Sequence, residues 1–182
     1  MVEQTQTLMT AAEFEALPEQ ETPVELIEGE FVVKGIPKII HQRVAFNLAL
    51  KLRDDVPNGE VFIAPVSVKL DDANYYVPDV LWVAENSACE VADDGITGPP
   101  DLVVEVLSPG TAKIDRGVKF QNYQKHGVRE YWLVEPSLAF LEVWTLTNGL
   151  FAQQGVYGAD ASFKSPVLGT EFSLVNIFEG ES

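Results

Sequence analysis

Residues 102–107 read Leu-Val-Val-Glu-Val-Leu, an apolar run broken by a single charge. A strand with one wet face alternates apolar and polar residues, so a near-continuous run marks a central strand covered on both faces. Ser108-Pro109-Gly110-Thr111 breaks the run, and residues 112–126 then follow a helical pattern that Gly127 can cap. Residues 129–135, Arg-Glu-Tyr-Trp-Leu-Val-Glu, form the next strand and end at Pro136. A strand–helix–strand unit of this kind implies a parallel pair joined by a right-handed crossover. The fold class is therefore mixed α/β.

The flanking segments fit one domain built around that unit. Thr10 followed three residues later by Glu13 is a capping-box pattern, which opens a short helix over 10–17 that Pro18 ends. Residues 24–34 read as a hairpin turning at Glu28-Gly29-Glu30. Ile40, Val44, Leu48 and Leu52 recur at helical spacing through 38–55, and Pro57-Asn58-Gly59 stops that helix. Residues 60–70 and 75–84 are strand-like, with Pro78 marking an edge or irregularity, and 85–100 reads as a loop with at most one helical turn. Residues 138–147 and 150–157 make a hairpin across Asn148-Gly149, and 166–178 holds a last short strand or turn. The order is helix, strand, strand, strand, helix, strand. A single domain of 182 residues is expected, with a core at 38–136, an N-terminal helix and hairpin at 10–34 and a C-terminal β extension at 138–178.

Glu105 is the residue in this pattern that demands a reason. An unpaired carboxylate in a buried strand costs several kcal/mol unless it takes up a proton or meets a cation. Either a buried Arg or Lys pairs with it, or it serves a site. Asp79 stands at the mouth of another apolar stretch, where it is a turn residue or a second carboxylate for the same site. Lys119 falls between Asp115 and Tyr123 at four-residue spacing, so the three share a helix face. That face adjoins Ile114, Val118 and Phe120, and Lys119 can reach toward the sheet. Two carboxylates and an amine are what metal-dependent phosphodiester cleavage needs. The carboxylates offer hard oxygen ligands to Mg²⁺ or Mn²⁺, and the amine steadies developing charge.

Other chemistries find little footing. There is no Gly-rich phosphate loop and no nucleophile elbow. Cys89 is the sole cysteine, so no internal disulfide forms, and its acidic surroundings do not activate a thiol. His126 suits a helix C-terminus and Trp82, Trp132 and Trp144 fall in β patterns, so these four need no chemistry. The first ten residues lack a basic region and an apolar stretch, so no secretory leader is expected. No apolar run reaches membrane-spanning length, and a cytoplasmic protein is expected.

The net charge of −16 has the wrong sign for a nucleic-acid binder. Its distribution is uneven. Lys34, Lys38, Arg43, Lys51 and Arg53 lie in a stretch without acids, and Lys113, Arg116, Lys119, Lys125 and Arg129 in a second interrupted only by Asp115. These are either a local basic face on an acidic body or solvated helix faces.

The segments VELIEGEFV, VPDVLWV, PPDLVVEVLSPGT and DRGVKFQNYQKHGVREYWLVEP, with the helix carrying His41, resemble the Uma-two family of bacterial restriction endonuclease-like proteins. That family belongs to the PD-(D/E)XK nuclease superfamily, and the resemblance spans roughly residues 8–178. It implies a restriction-endonuclease-like αβββαβ core with flanking hairpins and a DNA substrate. It also implies metal held by Asp79, Glu105 and the Val106 backbone carbonyl. The superfamily's usual lysine, two residues after the glutamate, is Leu107 here, and Lys119 from the following helix is the candidate to replace it. An earlier acid, Glu28 or Glu30, and His41 are candidates to join the site. A homodimer would suit double-strand cleavage. The contrasting expectations are a non-catalytic module of the same fold and a hydrolase for a small phosphate compound.

Overall fold

The computed structural model describes residues 8–18 and 20–179. Helix α1 (Ala11–Glu15) starts as its sequence dictates: Thr10 Oγ1 accepts from Glu13 N–H, and Glu13 Oε2 accepts from Thr10 N–H at 2.8 Å. Strands β1 (Val24–Ile27) and β2 (Glu30–Val33) pair antiparallel through Glu28 and Gly29, both at positive φ. Helix α2 (Ile39–Asp55) leads into β3 (Gly59–Ile63). Then come β4 (Val68–Asp71), β5 (Asn74–Tyr76), β6 (Val80–Ala84), β7 (Glu90–Ala92), β8 (Gly95–Thr97) and β9 (Leu102–Val106). Helix α3 (Ala112–Ile114), a five-residue π-helical turn (Asp115–Lys119) and α4 (Phe120–His126) form one continuous segment. Gly127, at φ 93°, closes it in the left-handed conformation that glycine adopts without strain. The chain finishes with β10 (Glu130–Glu135), β11 (Phe140–Thr147), β12 (Leu150–Gly158), β13 (Ser162–Ser165) and β14 (Thr170–Ser173).

Two six-stranded sheets result. The larger runs β12-β11-β10-β9-β6-β3, and the smaller runs β2-β1-β5-β4-β8-β7. In the larger sheet β9 and β10 are parallel, joined by the α3–α4 segment, while all other pairs are antiparallel. The expected strand–helix–strand unit is thus present inside a mixed sheet. Alternation along β9 divides its side chains. Leu102, Val104 and Val106 pack with Val44, Leu48 and Leu52 of α2, whereas Val103 and Leu107 pack with Tyr123 and Tyr131 on the α4 side. Glu105 shares the parity of Val103, and it therefore points to the face that α4 covers. Trp82 and Trp132 are buried, as their β context suggests, and Trp144 is half-buried.

The structure departs from the sequence expectation at three places. The stretch read as one strand over 60–70 is two strands, β3 and β4, in different sheets, and that over 75–84 divides likewise into β5 and β6. Each contains a proline, Pro65 or Pro78, which cannot donate to a ladder, and the chain changes sheet around it. The segment 85–100 is not plain loop but contains the β7–β8 hairpin, whose turn reaches Gly95 at positive φ. The last strand falls at Thr170–Ser173, inside the expected 166–178, but it pairs with an unexpected strand, β13, in a separate hairpin. Among the described residues no helix is long and apolar enough to cross a membrane.

Candidate active site

Beneath α4, where the two sheets approach, charged side chains cluster around Glu105. The register pairs Val80 with Val104, so Asp79, just before β6, falls opposite Glu105. Asp79 Oδ2 accepts the Val106 N–H at 2.7 Å, which fixes the carboxylate to the backbone of β9. His41, in the first turn of α2, brings Nε2 to 3.2 Å from the same oxygen. Lys34, just past β2, places Nζ 3.7 Å from Asp79 Oδ1 and donates to the Val77 carbonyl at 2.7 Å.

Lys119 closes the other side. Its Nζ donates to Glu105 Oε1 at 2.9 Å and to Glu25 Oε1 at 2.8 Å, and lies 3.6 Å from Asp115 Oδ1. Tyr123 donates its hydroxyl to Glu105 Oε1 at 3.1 Å, and the Lys119 ammonium lies 5.4 Å from the centre of the Tyr76 ring. The π-helical turn shapes this wall, since it begins at Asp115, ends at Lys119 and buries both. The apolar neighbours Ile114, Val118 and Phe120 are only half-buried, so charge rather than apolar bulk sits deepest on this helix. Exposure grades across the cluster. The side chains of Lys119 and Glu105 are each 2 % exposed, against 10 % for Asp79, 13 % for His41 and 15 % for Lys34. Asp79, His41 and Lys34 therefore form the rim that solvent reaches.

Four acids, Glu25, Asp79, Glu105 and Asp115, thus face two amines, Lys34 and Lys119. Burial drives the Glu105 pKa up to about 8, although Lys119 and Lys34 pull it down. Burial likewise raises Asp115 against the pull of Lys119 and a hydrogen bond from Thr111. Burial also opposes the Lys119 charge, but Glu105, Glu25 and Asp115 outweigh it and hold that amine well above its ordinary value. Asp79 goes the other way. Its burial is overcome by the His41 hydrogen bond, the Lys34 and His41 charges and the Val106 N–H, and its pKa is lowered. Burial thus disfavours the charged forms of Glu105 and Asp115, while the cluster favours the charge on Asp79.

The donor chemistry suits a hard divalent cation. Asp79 Oδ1 and Glu105 Oε2 accept no hydrogen bond among the described residues. Among those residues no three His, Cys, Asp or Glu side chains converge as a ready-made cage. Mg²⁺ does not require one, because it keeps several waters and commonly takes only one or two carboxylates.

Of the residues singled out in the sequence, Asp79, Glu105, Lys119, His41, Asp115 and Tyr123 all meet in this cluster. Val106 contributes its N–H to Asp79. Glu28 and Glu30 do not join, being exposed at the β1–β2 turn. The acid that comes from that hairpin is Glu25, buried on β1, whose Oε1 also accepts the Val77 N–H at 2.9 Å. Its sequence signal was faint, since Val-Glu-Leu-Ile reads as an ordinary strand with one polar position. Lys34, read as part of a basic face, is instead a member of the cluster. The second basic segment is mostly neutralised: Arg116 pairs with Glu142, Lys125 with Asp71 and Arg129 with Asp101. Two open cavities, of about 360 Å³ beside Phe14 and about 480 Å³ beside Gly59, contain none of the cluster residues.

The comparisons with known proteins bear on the fold and the family. A crystal structure of a "putative nuclease belonging to DUF820" from Anabaena variabilis superposes with a TM-score of 0.74 over 93 % of this chain and 97 % of that one, at 22 % identity. The uncharacterized protein sll1609 of Synechocystis is 30 % identical over 140 residues, covering 74 % of this chain and 79 % of that protein. A second uncharacterized Synechocystis protein, slr1290, is 25 % identical over 171 residues, covering 86 % and 83 %. The family model described as "Putative restriction endonuclease" matches residues 11–176, and the chain belongs to that family, Uma2.

Proposed function

We propose that this protein is a metal-dependent DNA endonuclease, with Asp79, Glu105 and the Val106 carbonyl holding Mg²⁺ or Mn²⁺. The observation that carries the reading is the buried cluster itself, in which Asp79 is tied to the strand of Glu105 and Lys119 stands 2.9 Å from Glu105 Oε1. When bound, the cation would acidify a water and neutralise charge at phosphorus. Lys119 and Tyr123 hold Glu105 from one side, so its free Oε2 keeps a fixed direction. His41 and the Val106 N–H hold Asp79 Oδ2, leaving Oδ1 open. Water then attacks in line. A new bond forms between its oxygen and phosphorus as the water gives up a proton to solvent, the bond from phosphorus to the leaving sugar oxygen breaks, and that oxygen takes a proton from solvent. Two copies acting together would cut both strands of a duplex, and a cytoplasmic location would give access to DNA.

Titration calorimetry with Mn²⁺ and nicking of supercoiled plasmid test this together. Wild type should bind the ion and nick the plasmid, and Glu105→Ala should lose both while its circular-dichroism spectrum stays folded. Metal binding without nicking would favour a non-catalytic module that keeps the fold, a reading that Leu107 at the usual lysine position also motivates. No metal binding by wild type would sink the nuclease mechanism.

A further inference from the structure

Two lysines stand in the cluster, and they are not equivalent. An ammonium has three N–H donors. Those of Lys119 face three carboxylates, Glu25 at 2.8 Å, Glu105 at 2.9 Å and Asp115 at 3.6 Å, in a side chain 2 % exposed. An incoming phosphate oxygen would have to displace one of these carboxylates and reach a sealed group. Lys34 spends one donor on the Val77 carbonyl at 2.7 Å. Its other neighbours, Glu25 Oε1 and Asp79 Oδ1, both lie at 3.7 Å, beyond hydrogen-bond length. Two donors are therefore uncommitted, and they sit on the rim that solvent reaches. The backbone behind them is fixed, because Lys34 N–H donates to the Pro23 carbonyl at 2.9 Å. The next residue is Gly35, around whose missing side chain there is open space, so nothing there crowds the approach.

We propose, building on the endonuclease reading, that Lys34 is the ammonium that contacts the scissile phosphodiester, while Lys119 is a positioning residue that holds Glu105 and Glu25. Lys34 donates to a non-bridging phosphate oxygen and keeps its proton throughout. The bound oxygen then lies beside the open Asp79 Oδ1, where the ion and the attacking water would gather. In this partly desolvated place a fixed positive charge stabilises the charge that develops on those oxygens far better than it would in water.

Two measurements on the full chain test the assignment. In the first, Lys34→Gln should lower kcat for plasmid nicking about 10²–10³-fold, the usual size of losing one fixed donor to a developing oxyanion. The loss should fall more on kcat than on KM, the variant should still unfold cooperatively in urea, and Lys34→Arg should recover part of it. In the second, lysines of the wild-type protein are acetylated with sulfo-N-hydroxysuccinimide acetate, with and without a short DNA duplex in Ca²⁺, and read by mass spectrometry. Lys34 should be labelled and then protected by the duplex, with Lys119 unlabelled throughout. Wild-type nicking by Lys34→Gln, or Lys34 labelling that no duplex changes, overturns the proposal. Protection of Lys34 in a protein that nicks nothing would keep the phosphate contact and defeat the endonuclease reading alone.

Discussion

Glu105 shows how one residue can declare a site from sequence. A single carboxylate in an apolar run must be compensated, and its compensation is Lys119, Tyr123 and Lys34, working against the repulsion of Asp115 and Asp79. That compensation is incomplete, since burial still drives its pKa up to about 8. The sign of the consequence follows. Below that pH the folded protein keeps a proton on Glu105 that its unfolded chain has already lost above the ordinary carboxylate range. The metal-free fold therefore loses stability as pH rises toward 8, and a cation ligated by Glu105 must expel the proton. Asp79, held below its ordinary value, stays ionised and adds nothing to this dependence. Apparent Mn²⁺ affinity should thus climb about tenfold per pH unit up to about 8 and level off above it, for release of one proton. Calorimetry at several pH values would check this, and a flat profile from pH 6 to 9 would remove Glu105 from the ligand set. Glu25 offered no such clue. It occupies a polar position of a short strand, and only Val77 and Lys119, far away in sequence, give it its buried partners.

Among the elements, the β9–α–β10 unit was legible because a doubly covered strand, a glycine-capped helix and a second strand follow one another without ambiguity. The split of the middle strands between two sheets was not, since a proline in a strand-like stretch signals a break but not which sheet receives each half. Nor was the π-helical turn visible, because residue spacing alone assumes a regular 3.6-residue period. That turn spans Asp115–Lys119, a pair that four-residue spacing already sets on one face, and both charges are buried. Gly117 lies inside it, with open space around its missing side chain. Gly117→Ala should be tolerated, or stabilise by up to about 1 kcal/mol through lost unfolded-chain entropy. Lys119→Met should instead leave Glu25, Glu105 and Asp115 without the ammonium they share. The uncompensated carboxylates would then cost about 3–5 kcal/mol. Urea unfolding of both variants checks the contrast. A Lys119→Met variant as stable as wild type would mean that the ammonium has no part in holding the buried carboxylates.

On the scale of the whole molecule, the charge of −16 is the strongest objection to a DNA substrate, and the structure sharpens it. Of the twelve basic residues, eight already sit in ion pairs: Lys34, Lys51, Arg53, Lys69, Arg116, Lys119, Lys125 and Arg129. Among the described residues that leaves Lys38, Arg43, Lys113 and Lys164 without a carboxylate partner. Three of these belong to segments that build the site, since Lys38 and Arg43 flank His41 and Lys113 precedes Asp115 by two residues. DNA would therefore meet a largely repulsive body with a few cations on the segments that carry the candidate site. Affinity should be weak, and its salt dependence shallow. Each phosphate neutralised contributes about 0.9 to the slope of log K against log salt, so the four free cations with Lys34 allow a slope no steeper than about −4.5. Fluorescence anisotropy of a labelled duplex in Ca²⁺ over a salt series measures it directly. A slope near −8 would require the surface pairs of Arg53, Lys125 and Arg129 to open onto phosphates, or a second protomer to add its own cations. In either case the charge map of the isolated chain would no longer describe the form that binds DNA.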